Sequence, residues 1–525
     1  MRLHVTCTVG KSMNKKHFSS VDEMVYTRLD SHKPEDFDKF WQKQIESIKN
    51  LNPEIRIEKA FDTEFQRAEY YDLYFESFDK SKIHCKYLVP KVSGKTPIVT
   101  IFHGYPGATR SYFEYSAFLD KGIAVLAMDC RGQGGRSYEM EQNRLNMGPT
   151  VSGHIVDGLN GEKEDLFYLN IYKDAYLAIN VAKNLDDIDQ DNIFIAGSSQ
   201  GGGISIVTAA LQENIKKTYL LYPFLTDYRK VFELDYDEIA YEGLRYFSRR
   251  YDPQGKRLEE MFRKLDYIDA ANFASKINAE IIYGISLSDE VIPPEVQFAV
   301  YNEIKAKKKL YQFKGFGHER ICPMEDKAIE FFTGDESVNN NIEKNIDTEN
   351  YKFAYKYINN GNKDLILYLN QTMTVGSHYL RRFSVLNLDS LSYDFKNDDK
   401  DLENIEYLIN EYKHKYERIF ILAQRENCDF AIDLAKKLDA KALILQGMTF
   451  DENSIERAKD LKAHVLMASC GLDYSEDKNM TQKVAESIEK CKVIYYPKYE
   501  YERINDYEDE KMVFLNKVIK GEENE

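Results

Sequence analysis

Residues 192–203 read NIFIAGSSQGGG, an apolar run that stops at a glycine-flanked serine and passes into a helical segment. Gly197-Ser198-Ser199-Gln200-Gly201 is G-x-S-x-G in the strand–turn–helix context of a nucleophile elbow. So tight a turn strains its central residue and crowds the neighbours, which explains small glycines on both sides. It lifts the Ser199 hydroxyl above the sheet edge and points helix N–H groups at developing negative charge. The competing reading is a glycine-rich turn with a spectator serine, and context decides between them.

Working outward, the runs PIVTIF (97–102), IAVLAM (123–128), TYLLYP (218–223) and EIIYGI (280–285) alternate with helical segments. Near-continuous apolar strands in strand–helix alternation predict a parallel sheet covered on both faces. Upstream, Asp36 to Trp41 reads as helix, and the alternation around Tyr70–Phe75 suggests antiparallel edge strands.

A serine becomes a nucleophile only beside a base, and the base needs an orienting acid. Asp289 falls just past EIIYGI, and His318 follows the strand KLYQFK (309–314) in the loop Gly315-Phe316-Gly317-His318-Glu319. Both lie at carboxyl ends of strands, where open parallel sheets place their sites. An oxyanion hole would take one backbone N–H from Gln200. The other would come from Tyr105 in FHGYPG (102–107), because Pro106 has no N–H to give.

With FHGYPG (102–107), MDCRGQGG (128–135), GSSQGGG (197–203), LSDEVIPPEVQFAVYN (287–302) and GHE (317–319) in order, the chain resembles the acetyl xylan esterase and cephalosporin-C deacetylase family of carbohydrate esterases. DFDKFW (36–41) and YIDAANFA (267–274) fit as well, so the likeness spans roughly residues 30–334. The resemblance implies an α/β-hydrolase fold and deacetylation of small acetylated sugars or other acetyl esters through a serine acyl-enzyme. Ser199 would be nucleophile, His318 base then acid, and Asp289 the orienting acid, with no metal or other cofactor. The family signature adds Arg131, Gln133 and Glu319; Arg131 and Gln133 are expected to hold the loops of the site. Cys130 departs from the more usual Thr and reads as a buried thiol. The acetyl esterases it resembles often form hexamers whose active sites face an inner tunnel, so a homo-oligomer is an expectation that the extra length here leaves open.

That extra length is considerable, because 525 residues exceed what one hydrophobic core normally holds. The polar, Asn-rich stretch 333–350 reads as linker, giving a catalytic domain over 1–334, a linker over 335–350 and a second domain over 351–525. LILYLN (365–370), SVLNLD (384–389), RIFILA (418–423), ALILQG (442–447), HVLMAS (464–469) and KVIYYP (492–497) resume the α/β style there. The expected fold is thus an α/β-hydrolase with a mostly parallel sheet, then a smaller α/β domain of hydrolase-like type. Ala279–Asp289 resembles Ala463–Asp473, and IFIAGSSQGGG (193–203) resembles IFILAQRENCD (419–429). KLYQFKGFGHER (309–320) resembles KVIYYPKYEYER (492–503), and GIAVLAMD (122–129) resembles RFSVLNLD (382–389). Arg425 then stands for Ser199 and Tyr501 for His318, while Asp473 keeps the acid. The expectation is a degenerate, non-catalytic repeat.

Composition narrows the partners. A net charge of −16, from 71 basic and 87 acidic residues, argues against nucleic acid. No apolar run approaches a membrane span. The first eighteen residues have no apolar signal core, and seven scattered cysteines suggest reduced thiols in the cytoplasm. Two other readings stay open: a hydrolase of different specificity (peptidase, thioesterase or longer-chain esterase), and a binding or scaffold protein without turnover.

Overall fold

The computed structural model describes residues 32–138, 154–237, 239–370, 376–395, 400–499 and 504–522. Two sheets organise them. The first contains β1 (Ile55–Lys59), β2 (Ala68–Glu76), β3 (Lys82–Pro90), β4 (Thr96–Phe102), β5 (Ala124–Met128), β6 (Ile188–Ser198), β7 (Ile215–Leu221), β8 (Glu280–Ser286) and β9 (Lys308–Phe313). Its order is β1-β2-β3-β5-β4-β6-β7-β8-β9, antiparallel through β1, β2, β3 and β5 and parallel from β5 onward. The parallel part is apolar on both faces, as at β5, where all five residues are buried. Helices Phe167–Lys183 and Gln200–Leu211 pack on one side of it. Trp41, on the helix Phe37–Glu46, is buried against Tyr172 and Phe273.

The second sheet contains β10 (Glu343–Asp347), β11 (Lys352–Ile358), β12 (Asp364–Asn370), β13 (Leu388–Asp394), β14 (Arg418–Gln424), β15 (Ala442–Gln446), β16 (His464–Cys470) and β17 (Cys491–Tyr496). Its order is β10-β11-β13-β12-β14-β15-β16-β17. Adding eight to each strand number from β2 to β9 reproduces this order. Every pairing also has the same sense as its counterpart, antiparallel from β10 to β13 and parallel beyond.

Two expectations need correcting. The stretch 335–350 is not all linker: β10 occupies its second half and forms the sheet edge. An edge strand with one exposed face carries charges, and EKNID therefore reads as loop. SVLNLD is not one strand either. Arg382–Leu386 is a short 3-10 helix, and β13 starts at Leu388. Strand pairing sets Asp129 against Asp394 rather than Asp389.

The halves share a core. One apolar cluster joins Val99, Phe194 and Tyr219 of the first to Tyr379, Phe383 and Leu515 of the second. This contact explains why Phe383, Val385 and Leu386 are apolar without lying in a strand.

Candidate active site

The site forms at the carboxyl ends of β6, β8 and β9. Ser199 follows β6 with φ 55° and ψ −122°, a left-handed backbone that costs a side-chain-bearing residue energy. Its N–H donates to Leu221 O at 3.0 Å, and its carbonyl accepts from Phe224 N at 2.9 Å, so the end of β7 and the loop after it hold the turn. The glycines are needed for approach. A Cβ at Gly197 would lie 2.1 Å from Gly201 O, and one at Gly201 would lie 1.9 Å from Phe102 O.

The structure brings Ser199, His318 and Asp289 together. Ser199 Oγ is 3.0 Å from His318 Nε2, and His318 Nδ1 is 2.9 Å from Asp289 Oδ2. With Nδ1–H donating to the carboxylate, Nε2 is left to accept the serine proton. Asp289 is buried, and its Oδ1 accepts from Val291 N and Ile292 N, both at 2.8 Å. Those two donors turn Oδ2 toward the histidine.

Several supporting residues escaped the sequence reading. Gln297 donates to Asp289 Oδ2 at 3.2 Å and to Ile292 O at 2.8 Å, while its own oxygen accepts from Ser286 N. The Tyr222 ring packs 4.6 Å from the His318 ring, and its hydroxyl donates to Glu319 O at 2.7 Å. His103 links two loops: its Nδ1 lies 2.8 Å from Gly104 O, and its Nε2 accepts from Cys130 N at 3.0 Å. Burial lowers the His103 pKa, which suits a neutral ring with one donor and one acceptor nitrogen. Gln297 and Tyr222 had no spacing signal, because only folding brings them to the triad.

The expected oxyanion residues flank the nucleophile. Gln200 opens the helix Gln200–Leu211. A methyl group at Gly104 would touch Ser199 Cβ at 3.9 Å, so the loop carrying Tyr105 runs beside the serine. Gln133 clasps the Gln200 side chain amide to amide, at 2.8 and 3.1 Å, and Tyr168 donates to the same Gln200 oxygen. Arg131 is fully buried and forks onto Asp174 at 2.6 and 2.7 Å, with Asp79 at 2.6 Å. It thereby ties the β2–β3 turn to the helix Phe167–Lys183 and to its own loop. Glu319 is exposed and accepts from Gly317 N at 3.1 Å, closing the histidine loop on itself. Cys130 is buried, and burial pushes its thiol pKa up, so it is held as an unreactive SH.

The second half repeats the elbow with Arg425 in the place of Ser199. Arg425 follows β14 with φ 57°, and its N–H donates to Gln446 O at the end of β15, as Ser199 does at the end of β7. Its guanidinium lies 3.4 Å from Asp473 Oδ2 and donates to Ser475 Oγ at 2.9 Å. Leu472 N donates to Tyr499 O as Ser288 N does to Phe316 O, which fixes Asp473 opposite Asp289. Tyr501 lies outside the described residues.

Comparison with known proteins places this architecture. The family model for acetyl xylan esterase (AXE1) matches residues 17–335. Acetyl esterase Axe7A of Xylanibacter ruminicola is 26% identical over 281 residues, which is 53% of this chain. The chain spans 61% of the length of that curated relative. Among solved structures, acetyl xylan esterase 1 from a Thermoanaerobacterium species is 34% identical with a TM-score of 0.57, covering 61% of this chain and 99% of that one. Acetyl xylan esterase from Paenibacillus sp. R4 is 27% identical with a TM-score of 0.55, covering 60% and 99%. The family model takes in the elbow, the acid and the histidine described above, and on that match the chain belongs to the acetyl xylan esterase family.

Proposed function

We propose that the protein is a serine carboxylic-ester hydrolase that removes acetyl groups from small acetylated sugars or related acetyl esters. The observation that carries this reading is the continuous Ser199–His318–Asp289 hydrogen-bond chain inside the family-matched half. His318 Nε2 takes the hydroxyl proton as Ser199 Oγ attacks the acetyl carbonyl carbon. Backbone N–H groups of Gln200 and Tyr105 receive the oxyanion. The imidazolium, steadied by Asp289, returns its proton to the departing sugar hydroxyl and leaves acetyl-Ser199. A water then gives a proton to His318 as it attacks the acetyl carbonyl, and the imidazolium passes that proton to Ser199 Oγ as acetate leaves. The acetyl xylan esterase names of the relatives support an acetylated carbohydrate as the substrate class.

We assign the chemistry to residues 1–334. The remainder reads as a non-catalytic copy, since Arg425 offers no nucleophile. The test is turnover of a chromogenic acetyl ester by the purified full chain. Ser199→Ala should abolish it, and full activity in that variant would overturn the reading. A panel varying acyl length, and amide against ester, separates acetyl specificity from the other hydrolase readings.

A further inference from the structure

Arg320 stands two residues after His318, and its guanidinium is held on two sides. Nε reaches both oxygens of Glu325 at 2.8 and 2.7 Å, and Nη1 lies 2.8 Å from Glu114 Oε2. Both acids are gripped in turn from the second half. Arg382 Nη2 donates to Glu114 Oε1 at 2.5 Å, and its Nη1 donates to Glu508, which Lys511 meets at 2.6 Å. His378 Nε2 lies 2.7 Å from Glu325 Oε2 and also meets Arg320 Nη2 directly.

The side chains of Arg382, Glu114, Glu508 and Lys511 are each at most 3% exposed. Burial resists ionisation of Glu114 and Glu325, yet their cations hold both carboxyl groups well below the usual range. For Glu114 the cations are Arg320, Arg382 and Arg110; for Glu325 they are His378, Arg320 and Arg110. Removing one partner from such a chain strands an uncompensated buried charge, so the set behaves as a unit.

Beside Arg320, at the end of the loop, the packing is open. A cavity of about 160 Å³ is bordered by Gly104, Ser198, Arg110, Arg320, Glu325 and His378. The histidine loop itself carries Gly315 at φ 77° and Gly317. Ser286 Oγ and Tyr222 Oη fix its middle by bonding to Gly317 O and Glu319 O. Arg320 anchors its far end, on acids that the second half completes.

We propose that the second half positions the catalytic histidine of the first, with Arg382 and His378 acting through Glu114, Glu325 and Arg320 to hold His318 at hydrogen-bonding distance from Ser199. This rests on the esterase reading above. The two residues touch no reacting atom; they are positioning residues. The degenerate copy thereby has a use that does not need its own nucleophile. Misplacing a catalytic group by about 1 Å can cost on the order of 10²-fold in rate, so the loss should fall on kcat rather than on substrate binding.

The experiment compares full-length Arg382→Gln, His378→Gln and Arg382→Lys with wild type on a chromogenic acetyl ester. Thermal unfolding fixes a temperature at which each variant is folded. Arg382→Gln and His378→Gln should each lower kcat at least tenfold with KM within twofold, and Arg382→Lys should recover most of the loss. Arg425→Ala, also in the second half but outside this chain of pairs, should match wild type. If Arg382→Gln does not fold, His378→Gln carries the test, because Glu325 keeps Arg110 and Arg320 as partners. Either variant, folded and with kcat within twofold of wild type, overturns the proposal, as does a loss carried by KM. Activity surviving in Ser199→Ala, or an inert wild type, would instead overturn the esterase reading beneath it.

Discussion

Asp289 fills its acceptor positions in a way that dictates what a substitution does. Oδ1 is committed to Val291 N and Ile292 N, and Oδ2 to His318 Nδ1 and Gln297 Nε2. In Asp289→Asn the amide oxygen would keep the two backbone donors, turning NH₂ toward the histidine. His318 would then have to accept at Nδ1 and carry its proton on Nε2, the tautomer that cannot take a proton from Ser199. The expected fall in kcat is on the order of 10³–10⁴-fold with KM little changed, read by steady-state hydrolysis of the chromogenic ester. A fall below tenfold would remove Asp289 from its orienting role. Gln133→Ala probes a different kind of dependence. It strips the buried Gln200 amide of two partner atoms, at 2.8 and 3.1 Å, and should cost about 1–3 kcal/mol, seen as a lower thermal midpoint. Asp289 and His318 were legible in the sequence because each falls in the loop that follows a late strand. Gln297 was not, since its role depends on a helix turning back over β8.

The strand–turn–helix unit gives the clearest contrast between the two halves. Ser199 and Arg425 share a left-handed backbone, with φ 55° and 57°, and the same N–H bond to the next strand's end. The flanking residues differ: Gly197 and Gly201 stand where the copy has Ala423 and Asn427. In the first half the helix approaches β4 so closely that Gly201→Ala would place a methyl group 1.9 Å from Phe102 O. That contact is with backbone and cannot be relieved by a rotamer change. Gly201→Ala should therefore give either no folded protein or at least a hundredfold loss of kcat, checked by circular dichroism and turnover. The apolar strands were readable because burial on both faces leaves little else for them to be. β10 was hidden by its charges at the sheet edge. SVLNLD (384–389) reads as strand because interface burial makes the end of the 3-10 turn Arg382–Leu386 as apolar as a core strand.

At the scale of the whole molecule, the contact between halves should set how stability responds to pH. The helix Asn505–Lys520 lays Asp509 against the first half, and Oδ1 of that carboxyl is enclosed with no hydrogen-bond partner. Burial pushes the Asp509 pKa from 3.8 up to about 7, with Lys86 and the Phe113 backbone only partly opposing the shift. A raised carboxyl pKa means that the folded chain keeps a proton that the unfolded chain has lost between about pH 4 and pH 7. Proton uptake by the native state makes stability fall as pH rises through that window and level off above it. Asp509→Asn cannot ionise, so it should match wild type near pH 4 and exceed it above pH 7, by at most roughly 4 kcal/mol. Denaturant unfolding of both proteins at pH 4.5, 6 and 8 reads the effect directly. If the stability difference between them does not grow with pH, the Asp509 carboxyl is ionised in the interface and Lys86 is its counter-ion. In that case Lys86→Met should destabilise the chain at pH 8 in the wild-type background but not with Asn at position 509.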